Sequence, residues 1–238
     1  IKNKVKSIYE GKLEKIHYLK NSEDISKDIV SKLKNHETFR KLFTNFLNEI
    51  GYNKGGTFWD RFVVRVAPAE NNLPYREASR INIHRDTWGT NLYHQINWWA
   101  PVSNVEKKNT MIFYPDYFDV PVKNTTSTWD LNIYLANRKK GDFSYPSAPQ
   151  LKEELPSNIK KIPVTIKPGE ILCFSGAHLH SSSKEKSENT RISFEIRTIC
   201  ENDINSSVQA PNVDCDLQWK FPKIFKKIND NSPLKITS

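Results

Sequence analysis

Two segments of this sequence carry histidine and aspartate side chains that could bind one metal ion. His84 and Asp86 are separated by a single residue, and His178 and His180 follow in a second segment later in the chain. Alternate residues of a strand point to the same side, so His84 and Asp86 can both face one interior. Two imidazoles and one carboxylate form a facial triad that holds Fe(II) and leaves other positions open. The residue types therefore predict an iron site.

A cationic side chain follows the second histidine segment. Ten residues separate His180 from Arg191, and Arg191 and Ser193 share one face of the strand predicted there. A guanidinium group can bind a carboxylate through two parallel hydrogen bonds. We therefore expect Arg191 to bind a carboxylate ligand next to the metal.

This ordered set of residues resembles the motif of the iron(II)/2-oxoglutarate-dependent dioxygenases. The residues that carry the resemblance are His84, Asp86, His180, Arg191 and Ser193. The step from His180 to Ser182 and the short gap to Arg191 look most similar to the phytanoyl-CoA-hydroxylase-like branch. The resemblance covers about residues 60–200.

The resemblance implies an enzyme that uses Fe(II), 2-oxoglutarate and O2, hydroxylates its substrate, and releases succinate and CO2. The implied metal ligands are His84, Asp86 and His180, with His178 as the alternative to His180. The implied contacts to 2-oxoglutarate are Arg191, Ser193 and Ser182. No other catalytic residue is predicted. The carboxylate at Asp86 favours hydroxylation, because relatives that halogenate carry a small residue there. Desaturation, cyclisation and epimerisation use the same ligands and stay open.

The elements that must position these residues are short strands with helices before them. Helical spacing predicts one helix from about Ser22 and a second from about His36 to Glu49. Seven or eight short strands follow, so we predict a mainly β fold with flanking helices, a double-stranded β-helix of the cupin-like, jelly-roll type. We expect one domain, 1–238, comprising a helical flank at 1–58, a core at 59–200 with an insertion or lid at 115–160, and a C-terminal extension at 201–238. Within that extension, an apolar stripe around Pro222 predicts a closing helix.

Asn97 and Trp88 are further candidates for the pocket. Asn97 lies on a polar face of the strand predicted at 92–100, where it is a candidate contact to 2-oxoglutarate. A hydrogen bond to a neighbouring strand is the alternative. Trp88 follows the first ligand segment and could pack over the metal or over a substrate.

Two arginines are candidate substrate contacts. Arg65 is either exposed or lines a polar cavity, since a buried arginine needs a partner. Arg197 lies on the same predicted face as Arg191, and Glu195 is an alternative partner for either candidate arginine. We expect the substrate to be a polar small molecule, anionic or neutral, such as a sugar, an amino acid or a biosynthetic intermediate.

Composition narrows the class of protein. The 238 residues carry a net charge of +9, but the lysines are scattered, which argues against a nucleic-acid partner. Nucleic-acid demethylation stays as one alternative, because alkylation-repair dioxygenases share the spacing of Arg191 and Arg197; a non-catalytic jelly-roll binding protein is the other.

Three cysteines without metal-type spacing indicate a reducing compartment. The sequence shows no membrane helix and no signal peptide at its start, so we expect a cytoplasmic location. It does not indicate an oligomeric state.

Overall fold

The computed structural model describes residues 1–34, 36–52, 56–67, 81–142, 144–183 and 187–236. The helices are α1 Lys2–Ile8, α2 Ser22–Leu33, α3 Glu37–Glu49, α4 Thr87–Thr90, α5 Leu131–Lys139 and α6 Glu201–Asn205. The strands are β1 Thr57–Trp59, β2 Val63–Ala67, β3 Ile96–Pro101, β4 Met111–Phe113, β5 Ile162–Pro163, β6 Leu172–Ser175, β7 His180–Ser182, β8 Arg191–Cys200 and β9 Lys226–Lys227. Among the described helices, none has the length and apolar character needed to cross a membrane.

The strands form two antiparallel sheets. The larger sheet has the order β6-β3-β8-β1-β9, with β2 also paired to β8, and the smaller sheet has the order β5-β4-β7. The predicted arrangement of sheets with flanking helices is therefore confirmed. However, the described helices hold more residues than the described strands, so the described part of the chain is mixed rather than mainly β.

One face of the larger sheet packs against the N-terminal helices. Ile29 and Leu33 in α2, and Phe43 and Leu47 in α3, recur at helical spacing and are buried in one hydrophobic cluster. The residues of β2 and β8 in this cluster are Val64, Val66, Ile192, Phe194 and Ile196. Because side chains alternate along a strand, the polar residues between them on β2 and β8 face the opposite side, away from the helices.

The first ligand segment is not the strand that the sequence predicts. His84 forms an isolated antiparallel bridge with His180, in which each backbone N–H donates to the other residue's carbonyl at 2.9 and 3.0 Å. Asp86 is instead the residue that precedes α4. The bridge therefore aligns the two histidines, while a helix start directs the carboxylate.

A second hydrophobic cluster joins the segment 115–160 to the C-terminal extension. Trp129 from the first segment and Leu217 from the second are buried together with Trp88 and Leu179. The predicted closing helix is wrong: the chain forms a 3-10 turn at Pro222–Ile224 and then β9. Proline has no backbone N–H to give to a helix. The short turn still buries Phe225 and partly buries Phe221, Ile224 and Ile228.

A buried ion pair ties these segments to the first ligand segment. Arg85 is 2% exposed, and its Nε donates to Asp214 Oδ2 at 3.1 Å. Asp214 also accepts hydrogen bonds from Trp88 Nε1 at 2.7 Å and from Val122 N at 3.1 Å. The remaining guanidinium donors bind the carbonyls of Tyr117, Phe118, Val120 and Ala177. Arg85 itself lies between two candidate metal ligands, so these bonds tie three other segments, at 117–120, 177 and 214, to the first ligand segment.

We expect Arg85→Met to lower the free energy of unfolding by about 3–5 kcal/mol, because it leaves the buried Asp214 carboxylate without its cation. Urea denaturation of the purified protein measures this change. The matched control is Lys123→Met, which breaks an ion pair with Glu153 whose side chains are 71% and 62% exposed. The control should unfold at nearly the native urea concentration. Equal effects of the two variants would contradict a structural role for Arg85.

Candidate metal centre

His84, Asp86 and His180 converge in the structure. Each offers one ligand atom, and the three atoms all lie within 4.8 Å of one another. His84 Nε2 is 3.8 Å from Asp86 Oδ1, and His180 Nε2 is 3.6 Å from Asp86 Oδ2. Two imidazoles and one carboxylate at these separations could hold one divalent metal ion.

Both imidazoles are oriented by carbonyl groups two residues earlier in the chain. His84 Nδ1 is 2.8 Å from Asn82 O, and His180 Nδ1 is 2.9 Å from His178 O. A carbonyl oxygen only accepts, so each Nδ1 carries the proton and each Nε2 keeps its lone pair. Histidines that bind metals commonly donate their other ring N–H in this way. The three residues therefore fit a metal ion both by residue type and by the tautomer of the two histidines.

The electrostatic surroundings favour the protonation states that a metal requires. Burial, and then the neighbouring His180 ring, lower the pKa of His84 to about 4, so this imidazole is neutral near pH 7. Burial opposes ionisation of Asp86. The facing imidazoles, the Arg197 guanidinium and a hydrogen bond from Asn97 nevertheless hold the pKa of Asp86 below its ordinary value. A neutral imidazole and an ionised carboxylate are ready to bind a cation.

A small cavity of about 20 Å³ opens beside the three ligands. A volume of about 10–15 Å³ is enough for one water molecule, so this space can hold one water molecule or a small ion. The other lining residues are Ile81, Asn97, Trp99, Met111, Phe174, Glu195 and Arg197. The lining therefore combines four apolar side chains with a polar and charged group, Asn97, Glu195 and Arg197, which we call the polar wall.

The two arginines expected to contact substrate are both ion-paired with carboxylates. Arg197 Nε donates to Asp60 Oδ2 at 2.6 Å, and Arg197 Nη1 lies 3.8 Å from Asp86 Oδ1. Arg65 donates to both oxygens of Glu195, at 3.1 and 2.8 Å. Glu195 is thus the partner of Arg65, as one sequence alternative stated. Arg197 lines the cavity, whereas Arg65 lies behind Glu195.

Arg191 and Ser193 lie on the same face of β8 as Arg197. Arg191 is 3% exposed, and its Cζ is 5.9 Å from the centroid of the Trp99 ring, which lines the cavity. Ser193 is fully buried, and its Oγ has no hydrogen-bond partner among the described residues. Buried polar atoms are normally satisfied, so this hydroxyl group points to an additional partner. A guanidinium group and a hydroxyl group on one strand face fit a carboxylate.

The remaining candidate contacts are engaged within the protein. Asn97 Nδ2 donates to Asp86 Oδ2, so its amide meets a metal ligand. Ser182 Oγ accepts the Ile81 N–H at 3.2 Å. Trp88 is fully buried in the second hydrophobic cluster and does not line the cavity.

His178 lies outside the triad because residues 176–179 form a turn rather than an extended strand. Its Nδ1 is 3.2 Å from Ser175 O, and its ring packs against Phe118. Strand alternation alone puts both histidines on one face of an extended chain, and the ten-residue gap to Arg191 was the reason for preferring His180.

Two residues that position the site were not predicted from the sequence. Asp60 binds Arg197, and its side chain is 2% exposed. Gln95 donates to Asn97 Oδ1 at 2.9 Å and is fully buried. Gln95 shares a face with Asn97 in the predicted strand, which was an available signal. Asp60 lies between β1 and β2, and the sequence gave no signal for its role.

No family model and no curated protein sequence matches this chain. Solved structures with partial similarity include the apo form of ThoJ, a non-heme monooxygenase, at TM-score 0.43 and 12% identity over 65% of this chain and 51% of that chain. EvdO2 from Micromonospora carbonacea var. aurantiaca, complexed with 2-oxoglutarate, has TM-score 0.43 and 9% identity over 68% and 64% of the two chains.

A third similar structure is SnoN, a non-heme alpha ketoglutarate dependent epimerase from nogalamycin biosynthesis. It has TM-score 0.43 and 13% identity over 82% of this chain and 74% of that chain. This chain spans about half the length of ThoJ. Similarities of this size assign neither a fold family nor a reaction to this chain.

We expect Gly176→Ala to weaken metal binding about tenfold and to lower the melting temperature. A Cβ at this position would lie 2.7 Å from Gln95 Nε2, and the Gly176 N–H donates to Gln95 O at 2.9 Å. Relief of that contact must move either Gln95 or the turn that leads to His180. Calorimetric titration with Mn(II) and thermal denaturation measure the two effects.

The matched control is Gly89→Ala in α4, where an added Cβ meets no atom within 4 Å. This variant should bind Mn(II) like the native protein and melt at or slightly above the native temperature, because Ala favours helix. Native-like metal binding in Gly176→Ala would show that the turn tolerates the added group.

Proposed function

We propose that this chain is an Fe(II)/2-oxoglutarate-dependent oxygenase that hydroxylates a polar small molecule. The observation that carries the proposal is the convergence of His84 Nε2, His180 Nε2 and the Asp86 carboxylate, with both imidazoles held in the metal-binding tautomer. A core of double-stranded β-helix type is part of the proposal. The smaller sheet contributes His180, and the larger sheet contributes Asn97 and Arg197 from the other side.

His84, Asp86 and His180 would hold Fe(II) from one side, in the donor set typical of non-haem Fe(II) oxygenases. When bound, Fe(II) with 2-oxoglutarate supplies oxidation by O2, with release of succinate and CO2. The chain's own part is to keep the two Nε2 lone pairs and the carboxylate directed at one point. Burial of both histidines and partial burial of Asp86 also limit the access of bulk water to that point.

Arg191 would bind the distal carboxylate of 2-oxoglutarate, and Ser193 Oγ would donate a second hydrogen bond. The support is that both are buried on one face of β8 and that the Ser193 hydroxyl lacks a partner among the described residues. Ser182 and Asn97 are weaker candidates for this role, because Ile81 N–H and Asp86 already engage them.

The polar wall of the cavity would bind the substrate. Arg197 directs Nη1 towards the site while Nε holds Asp60, and Glu195 lines the same wall. A substrate that offers both hydrogen-bond donors and acceptors matches this wall, as a sugar or an amino acid would. The three cysteines are free thiols, which supports the further proposal of a cytoplasmic location.

Anaerobic addition of Fe(II) and 2-oxoglutarate should produce a visible charge-transfer band in the native protein. We expect His84→Ala and Asp86→Ala to lose the band, because each removes a metal ligand. The matched control is His178→Ala, which removes a neighbouring histidine outside the triad and should keep it. Absence of the band in native protein at saturating ligand, or its persistence in His84→Ala, would refute the proposal.

Arg191→Met should weaken 2-oxoglutarate binding to the Mn(II)-loaded protein by about tenfold or more, since a charge-assisted hydrogen bond contributes about 1.5–3 kcal/mol. Its affinity for Mn(II) alone should stay native. The matched control is Arg40→Met, because Arg40 also lies over a tryptophan, Trp59, at 4.7 Å, but outside the site. Calorimetric titration gives both affinities. Equal 2-oxoglutarate affinities in the two variants would exclude Arg191 as the carboxylate contact.

A further inference from the structure

Three buried polar side chains are joined by hydrogen bonds into a series that ends on the carboxylate of Asp86. Thr90 Oγ1 donates to Gln95 Oε1 at 3.2 Å, and Gln95 Nε2 donates to Asn97 Oδ1 at 2.9 Å. Asn97 Nδ2 then donates to Asp86 Oδ2. Gln95 is fully buried, and Thr90 and Asn97 are only 2% and 4% exposed. These side chains form one connected hydrogen-bond chain, Thr90-Gln95-Asn97, that ends on Asp86.

The direction of every hydrogen bond in the chain is fixed by its last member. An ionised Asp86 only accepts, so Asn97 must turn its NH2 group towards it and its carbonyl towards Gln95. Gln95 must then present its own NH2 group to Asn97, which leaves its carbonyl for the Thr90 hydroxyl group. A change at Gln95 can therefore reverse the amide of Asn97 without altering either Asn97 or Asp86.

We propose that Asn97, oriented by Gln95, makes Asp86 a metal ligand through one oxygen only. The proposal rests on the proposed function and names the residue that sets the coordination number of its metal. Asp86 Oδ2 is 3.6 Å from His180 Nε2 but already accepts the Asn97 hydrogen bond. Asp86 Oδ1 is 3.8 Å from His84 Nε2 and accepts no hydrogen bond from the described residues. Oδ1 is therefore the oxygen available to a metal.

The number of open positions follows from this restriction. Two imidazoles and one carboxylate oxygen leave three positions of an octahedral ion open. A chelating 2-oxo acid takes two of them, and one remains for a further small ligand. If both oxygens of Asp86 bound the metal, only two positions would stay open. The 2-oxo acid would fill both of them, and none would remain for the further small ligand. Asn97 is thus a positioning residue, and the sequence-based expectation that it contacts 2-oxoglutarate is replaced.

The test counts the exchangeable water molecules on Mn(II) bound to the protein, from the relaxation of water protons and in the absence of 2-oxoglutarate. Native protein should hold three water ligands, and Asn97→Ala should hold two, because the freed oxygen of Asp86 joins the metal. Gln95→Glu should also hold two, since a carboxylate at position 95 only accepts and turns the Asn97 NH2 group away from Asp86.

Three comparisons separate positioning from general destabilisation. Thr198→Val removes a buried hydrogen bond of 2.7 Å to Trp98 Nε1 on the same sheet, outside the site, and should keep three waters. Gln95→Glu combined with Asn97→Ala should match Asn97→Ala alone, because Gln95 acts only through Asn97. Addition of 2-oxoglutarate should displace water less effectively in Asn97→Ala, with an affinity at least about tenfold below native.

The outcomes distinguish this inference from the proposed function. If native protein binds Mn(II) with three waters and Asn97→Ala does the same with native 2-oxoglutarate affinity, the positioning role is wrong while the metal site stands. If native protein binds no Mn(II), the proposed function fails and the inference fails with it. Should Gln95→Glu not fold, as its circular dichroism would show, Asn97→Ala alone decides.

Discussion

Two backbone hydrogen bonds between His84 and His180 are the constraint on which the site depends. They join residues that are far apart in sequence and place the two imidazole rings 4.3 Å apart, centroid to centroid. Each ring then uses Nδ1 on a carbonyl of its own segment, so that each Nε2 points towards Asp86. The bridge is isolated from the strand pairings of both sheets, so the chain after His84 can leave the extended conformation at once and start α4.

The larger sheet can carry charged side chains on one face because each of these buried charges has a partner of opposite sign. An uncompensated charge in the interior costs several kcal/mol, and a core with Arg65, Glu195 and Arg197 on one face would not be stable without partners. Arg65 pairs with Glu195, and Arg197 pairs with Asp60. The two ion pairs satisfy these charges within the sheet, and Glu195, Arg197 and Asp86 are the charged residues that line the cavity.

The sequence predicted the parts of the site that local pattern encodes. α2 and α3 follow from apolar residues at helical spacing, and the alternation in β8 correctly separated its apolar side from the side that carries Arg197. Pattern could not predict that Asp86 precedes a helix, because a helix of four residues has no periodicity to detect. Nor could it predict that Trp88 donates to Asp214, or that Arg197 binds Asp60. Those partners lie 126 and 137 residues away in the chain, and such contacts depend on the tertiary fold alone.

The most direct test of the account is the position of a bound metal in crystals grown without oxygen in the presence of Mn(II). Anomalous diffraction locates the ion independently of any assumption about the ligands. The account predicts one strong peak about 2.0–2.2 Å from His84 Nε2, His180 Nε2 and Asp86 Oδ1, which is the usual range for bonds from a metal to imidazole and carboxylate. A peak at other side chains, or no peak between these three at saturating Mn(II), would contradict it.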